Sequence, residues 1–177
     1  ITLDGAVRLA STIVIDTSGA VDTEEPIPGA DGKVDFTNTV DATNNRVENL
    51  TITAGDVDFG GLVGGTTRLG DVVLDASGAV NAATNSIRAN SLAVNTSTSF
   101  ASGDLDTRGD LLTGDDGGTV TINADTGIAT GSIDTRGGTV SGNTPGRHGG
   151  AVNLAAADIS VGAVSYTHLR AHETATY

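Results

Sequence analysis

Apolar residues recur along the chain in short bursts, two positions apart. Val7/Leu9, Ile13/Ile15, Val34/Phe36, Leu50/Ile52, Val57/Phe59, Val72/Leu74, Leu92/Val94, Val120/Ile122, Val152/Leu154 and Ile159/Val161 each bracket one intervening residue. Alternate residues of a strand share a face, so each pair predicts a short β-strand with one buried side. Between the bursts lie turn clusters such as Thr17-Ser18-Gly19, Pro28-Gly29-Ala30-Asp31-Gly32, Gly60-Gly61, Gly64-Gly65 and Gly149-Gly150. Gly and Asp supply the backbone angles that tight corners need. No window sustains the i, i+3, i+4, i+7 pattern of an amphipathic helix. The reading is roughly ten to a dozen short strands and no substantial helix.

The units also repeat. Gly103-Asp104-Leu105-Asp106-Thr107-Arg108-Gly109 returns as Gly131-Ser132-Ile133-Asp134-Thr135-Arg136-Gly137, an offset of 131 − 103 = 28. Gly117-Gly118-Thr119-Val120-Thr121-Ile122-Asn123-Ala124 returns as Gly149-Gly150-Ala151-Val152-Asn153-Leu154-Ala155-Ala156, an offset of 149 − 117 = 32. Ile15-Asp16-Thr17-Ser18-Gly19 is a fainter copy of the first unit. Near-constant spacing with variable loops marks a solenoid, whose coils bury their apolar faces by stacking on one another. A β-sandwich has no reason to repeat Asp-Thr-Arg-Gly at coil spacing. The expected fold is all-β, a parallel β-helix of about six to eight coils, and the usual crossover rule makes it right-handed.

Composition narrows the function. The 177 residues include 25 Gly, three Phe, two Tyr and no Trp, Met or Cys, so the core is expected to be built of Val, Ile, Leu and Ala. Without cysteine there is no disulfide scaffold, thiolate metal site or cysteine nucleophile. The formal net charge of −13 disfavours nucleic acid and anionic membrane surfaces as partners. No apolar run reaches the ~18 residues of a membrane helix. With no initiating Met and no leader, the chain reads as an internal fragment.

The Asp-Thr-Arg-Gly units, the stretch Gly117 to Gly137 and Asp56-Val57-Asp58-Phe59-Gly60-Gly61-Leu62-Val63-Gly64-Gly65-Thr66-Thr67 resemble the repeats of very large filamentous-haemagglutinin-type exoproteins. The resemblance covers most of residues 1–164. It implies a right-handed β-helical shaft exported by Gram-negative bacteria, through an outer-membrane transporter partner or as an autotransporter, and working in adhesion or biofilm at the cell surface. A host or surface receptor, a glycan or a matrix component would be its target. The family's Asn-Pro secretion signature is not found. Residues 165–177 break the Gly/Asp/Thr pattern and hold both Tyr and two of the three His. They resemble the translation of a sequencing-library adapter, and the sequence reading assigns them to a non-native tail.

Catalytic constellations are thin. His148 sits in the loop sequence Pro145-Gly146-Arg147-His148-Gly149-Gly150, and a solvated histidine is the favoured reading. Glycoside cleavage needs two carboxylates flanking one sugar bond in settings that separate their pKa values. Nothing marks such a setting among eighteen Asp, so the chain is expected not to be an enzyme, with a carbohydrate-active β-helix as the alternative. A calcium-dependent surface or matrix module is a further alternative. Asp104, Asp106 and Asp110, or Asp115 and Asp116, are its candidate ligands, since hard cations take clustered oxygen. No other cofactor is implied. Arg108-Gly109-Asp110 spells the tripeptide read by integrins, although its first two letters belong to the repeat. Thr-x-Thr pairs at 37/39, 51/53, 96/98 and 119/121 are read as solvent-face strand residues rather than an ice-binding array.

Overall fold

Each predicted burst lies in a strand, and each pairs in parallel with the strand one coil away. A computed structural model describes residues 1–18, 32–82, 84–96, 98–110, 114–138 and 147–166. Its first coil carries β1 (Thr2–Leu3), β2 (Val7–Leu9) and β3 (Ile13–Asp16). The second carries β4 (Val34–Phe36), β5 (Val40–Ala42) and β6 (Leu50–Ala54), the third β7 (Val57–Phe59) and β8 (Leu69–Ala76). The fourth has β9 (Val80–Asn81) and β10 (Ile87–Thr96), the fifth β11 (Ser99–Ser102), β12 (Leu105–Asp106) and β13 (Val120–Ala124). β14 (Gly127–Asp134) and β15 (Val152–Ala155) make the sixth, and β16 (Asp158–Ser165) starts a seventh turn. The described residues contain no helix.

Parallel pairing stacks equivalent residues into three faces. The first runs β1, β4, β7, β9, β11 and the opening halves of β14 and β16. The second runs β2, β5, a bridge at Val63, the start of β10, then β12 and the closing halves of β14 and β16. The third runs β3, β6, β8, the end of β10, β13 and β15. The fold is thus a parallel β-solenoid, and its six inter-coil spacings of ~4.8 Å make a stack roughly 30 Å long.

Inward positions form apolar ladders along the axis. Val34, Val57, Val80, Phe100 and Ile128 follow one another on the first face, all buried. Ile15, Ile52, Leu74, Val94, Ile122 and Leu154 do the same on the third. All three Phe lie on the first face, with Phe36 and Phe59 stacked at 5.2 Å between ring centroids and 9° between planes. Phe36 and Phe59 occupy successive coils at equivalent positions, so their rings stack along the axis as the strands do.

The described residues form sixteen strands rather than ten to a dozen. The additional ones, β1, β5, β9, β11, β12 and β14, put at most one large apolar residue on any one face. Their other inward positions hold small or hydroxylated residues such as Ala42 and Ser102, which leave no apolar-x-apolar trace. The solenoid also runs one residue past the expected boundary at 164: Ser165 pairs with Asp134 and its carbonyl accepts from the Thr135 N–H at 2.9 Å. Residues 167–177, most of the expected tail, lie outside the described residues.

Candidate functional site

The repeated Asp-Thr unit performs the same local task three times. Asp16, Asp106 and Asp134 each accept, on Oδ1, the N–H two residues on, from Ser18 at 2.9 Å, Arg108 at 3.1 Å and Arg136 at 3.2 Å. This Asx turn ends the strand. The next residue then clasps the far end of the loop. Thr107 Oγ1 donates to the Gly118 carbonyl at 2.7 Å, while the Gly118 N–H returns to the Thr107 carbonyl at 2.8 Å. Thr135 and Gly150 make the same reciprocal pair at 2.8 Å both ways, and Thr17 and Gly32 at 2.6 and 3.2 Å. The faint third copy therefore has the same geometry as the two clear ones. Thr107 and Thr135 are buried, and the clasp satisfies their hydroxyls.

The other half of the unit, Asp-x-Arg, builds a charged corner between the second and third faces. Arg108 grips Asp106 with Nε at 3.0 Å and Nη2 at 2.9 Å, and Arg136 grips Asp134 at 2.9 and 2.7 Å. Arg68 Nη2 also pairs with Asp106, Arg88 Nε lies 3.5 Å from it, and Arg108 Nε lies 3.3 Å from Asp134. Burial pushes the Asp106 carboxyl up, but Arg108 and Arg68 outweigh it and hold the pKa at about 2. Arg68 is pushed below the ordinary arginine range, first by burial and also by the like charges of Arg88 and Arg108, with Asp106 opposing.

Arg46 joins from the second coil. Its φ is +63°, a region that costs a non-glycine residue about 1 kcal/mol or more. Held there, its Nε and Nη2 reach Asn90 Oδ1 at 3.2 and 2.6 Å, and its Nη1 reaches the Arg108 carbonyl at 3.3 Å. Arg46, Arg68, Arg88 and Arg108 thus line one cleft of about 250 Å³, with Asn45, Thr66, Gly109 and Asp110. The nine basic residues of the whole chain supply four to this one place.

The sequence candidates fall on different parts of this framework. The tripeptide Arg108-Gly109-Asp110 lies on the cleft wall. The Arg108 guanidinium is held by two carboxylates, a Cβ on Gly109 would stand 1.9 Å from the Asp115 carbonyl, and Asp110 Oδ2 accepts from Asn45 at 3.2 Å. Asp104 Oδ1 accepts the Ser132 N–H at 2.7 Å and Asp116 Oδ1 the exposed His148 N–H at 3.0 Å, each capping the next coil. The Asp115 carbonyl accepts from Gly138. Asp41 and Asp56 cap the following coil in the same manner. Among the described residues no three His, Cys, Asp or Glu side chains converge as a metal site. The Thr pairs do not stack on one another: Thr51 sits between Val14 and Val73, and Thr121 between Ala93 and Asn153.

A second concavity runs along the axis beside the third face. It measures about 730 Å³, floored by Ala54, Ala76, Thr96 and Ala124 and walled by Thr53, Asp75, Asn95 and Asn123. Asn123 donates to Asn95 at 3.0 Å and Asn95 to Asp75 at 2.9 Å, a one-way amide ladder across three coils. Sequence reasoning missed both concavities. The available signal for the first was Arg68, Arg88 and Arg108 at equal steps of 20 (88 − 68 and 108 − 88).

No protein-family model, no curated protein sequence and no solved structure matches the chain.

Proposed function

We propose that this chain is a shaft segment of a large bacterial exoprotein, exported or displayed at the cell surface, that serves adhesion or biofilm cohesion by extending a rod and presenting loops. The observation that carries this reading is the use of the polar residues. The Asp, Thr and Arg of the repeats go into strand ends, loop clasps and coil-to-coil ion pairs, and no catalytic residue is assigned. The resemblance of the repeat units to filamentous-haemagglutinin-type exoproteins supports the same reading and rests on those residues alone. On this reading an outer-membrane transporter is the export partner, and a receptor, glycan or matrix component is met through the loops or elsewhere on the rod.

The axial groove favours a second reading, a carbohydrate-active solenoid. Its walls offer amides and the carboxylates of Asp75 and Asp125 along a length that suits a linear polysaccharide.

The test of the first reading is made on the source DNA, amplified across the codons for Gly162 to Tyr177. Continued apolar-x-apolar and Asp-Thr-x-Gly repeats in place of Tyr166 onward are the expected result, and a stop codon or a run into an unrelated catalytic domain overturns it. Incubation with neutral and acidic polysaccharides, read by new reducing ends, tests the second. Chain cleavage abolished by Asp75→Asn would put the enzyme reading first.

A further inference from the structure

We propose that the corner cleft lined by Arg46, Arg68, Arg88 and Arg108 is a binding site for a small tetrahedral oxyanion of the phosphate or sulfate type. Three features argue for it independently of the shaft reading.

The first is charge. The cleft wall holds four guanidiniums against Asp110, with Asp106 bridging behind Arg68, Arg88 and Arg108, so the immediate balance is 4 − 2 = +2. Asp134 answers Arg136 as well as Arg108, and Asp71 stands one layer back behind Asn90. A local positive excess in a chain of net charge −13 is kept together only by the coil register.

The second is unspent donors. A guanidinium carries five N–H groups in a planar fork suited to oxyanions. Arg88 spends Nη1 on the Gly65 carbonyl at 2.9 Å, and its Nη2 has no acceptor among the described residues. Arg68 spends Nη1 on Arg108 and Nη2 on Asp106, leaving Nε without an acceptor among them. Arg68 is half-buried, with 12% of its side chain exposed, and shares its one carboxylate partner, Asp106, with Arg88 and Arg108.

The third is the expense of the arrangement. Arg46 occupies a left-handed backbone conformation that brings its guanidinium to the same wall, and four like charges from four coils meet where each could have pointed to water. An anion of charge −2 cancels the excess and bridges coils two to five. The cleft of about 250 Å³ has room for one such group with its waters.

The experiment is isothermal calorimetry of the purified chain against inorganic phosphate and sulfate at constant ionic strength in chloride, with melting followed by circular dichroism. Saturable one-site binding is expected in the calorimeter, with a Tm rise of about 3–6 °C at ten times Kd that grows with the logarithm of anion concentration. Arg88→Gln is expected to weaken binding at least tenfold. Should that variant fold poorly, Thr66→Asp, which puts a carboxylate at the cleft mouth, is expected to abolish binding with the arginines intact. Glycerol phosphate added in a parallel arm separates the sources: binding as tight as inorganic phosphate points to a phosphate ester, weaker binding to the free ion. Heat that does not saturate, or a Tm rise equal in both variants and linear in salt, is general salt stabilisation and overturns the site.

Discussion

Replacing Thr135 by Val tests the clasp that gives the repeat its sequence. The two side chains have nearly the same shape, and Thr135 is fully buried, so packing is conserved while one hydroxyl is removed. The lost interaction is the 2.8 Å bond from Oγ1 to the Gly150 carbonyl. The return bond from the Gly150 N–H to the Thr135 carbonyl, also 2.8 Å, is untouched. A single neutral hydrogen bond contributes about 1 kcal/mol net, rising towards about 2 when the orphaned acceptor stays dry. Gly150 is partly exposed, so water can reach its carbonyl and the lower figure applies. For a domain of this size that is a Tm drop of about 2–4 °C, measured by circular dichroism melting. Thr135→Ser, which keeps the hydroxyl, should lose less. Thr17→Val, in the half-buried first copy, should cost less again and add to Thr135→Val, since the two sit five coils apart. A Thr135→Val protein that melts at or above the parent temperature refutes the clasp as the reason for the conserved geometry of the three units.

Two further outcomes follow from single positions. A Cβ on Gly118 would lie 1.5 Å from the Asn90 carbonyl, whereas one on Gly127 meets only the Asp158 carbonyl at 3.8 Å; Gly118→Ala should therefore cost a few kcal/mol or prevent folding, while Gly127→Ala stays within about 1 kcal/mol of the parent in urea melts. Asp106 has a folded pKa of about 2, below its unfolded value of 3.8, so its contribution is fully present above about pH 4 and is lost as pH falls towards 2. With 13% of the side chain exposed, the shift discounts to about 1–2 kcal/mol. The stability gap between parent and Asp106→Asn should be widest above pH 4 and close near pH 2; a gap that does not change with pH sinks the assignment.

Strand positions were legible in the sequence because alternation and turn chemistry are local. Val57/Phe59 or Val120/Ile122 announces a buried strand face wherever it sits. Coil spacing was legible too, because the Asp-Thr-x-Gly unit must recur where each loop is clasped. Beyond Val7/Leu9 the second face was not. Val63, Ile87, Leu105 and Ile133 are single apolar residues whose burial depends on the coils above and below.

The corner cleft was equally hidden. Arg46, Arg68, Arg88 and Arg108 are spread over four coils and meet only because the register sets Ile87 beside Leu105 and Arg88 beside Asp106. Carboxylates that look alike in sequence part company for the same reason: Asp104 caps a backbone N–H, and Asp106, two residues on, faces three guanidiniums. Local pattern determined the strands, the turns and the repeat of this protein. Which side chains converge across coils was decided by the stacking register, because loops of different lengths separate neighbours in space by 18 residues at one step (Ile87 to Leu105) and 28 at the next (Leu105 to Ile133).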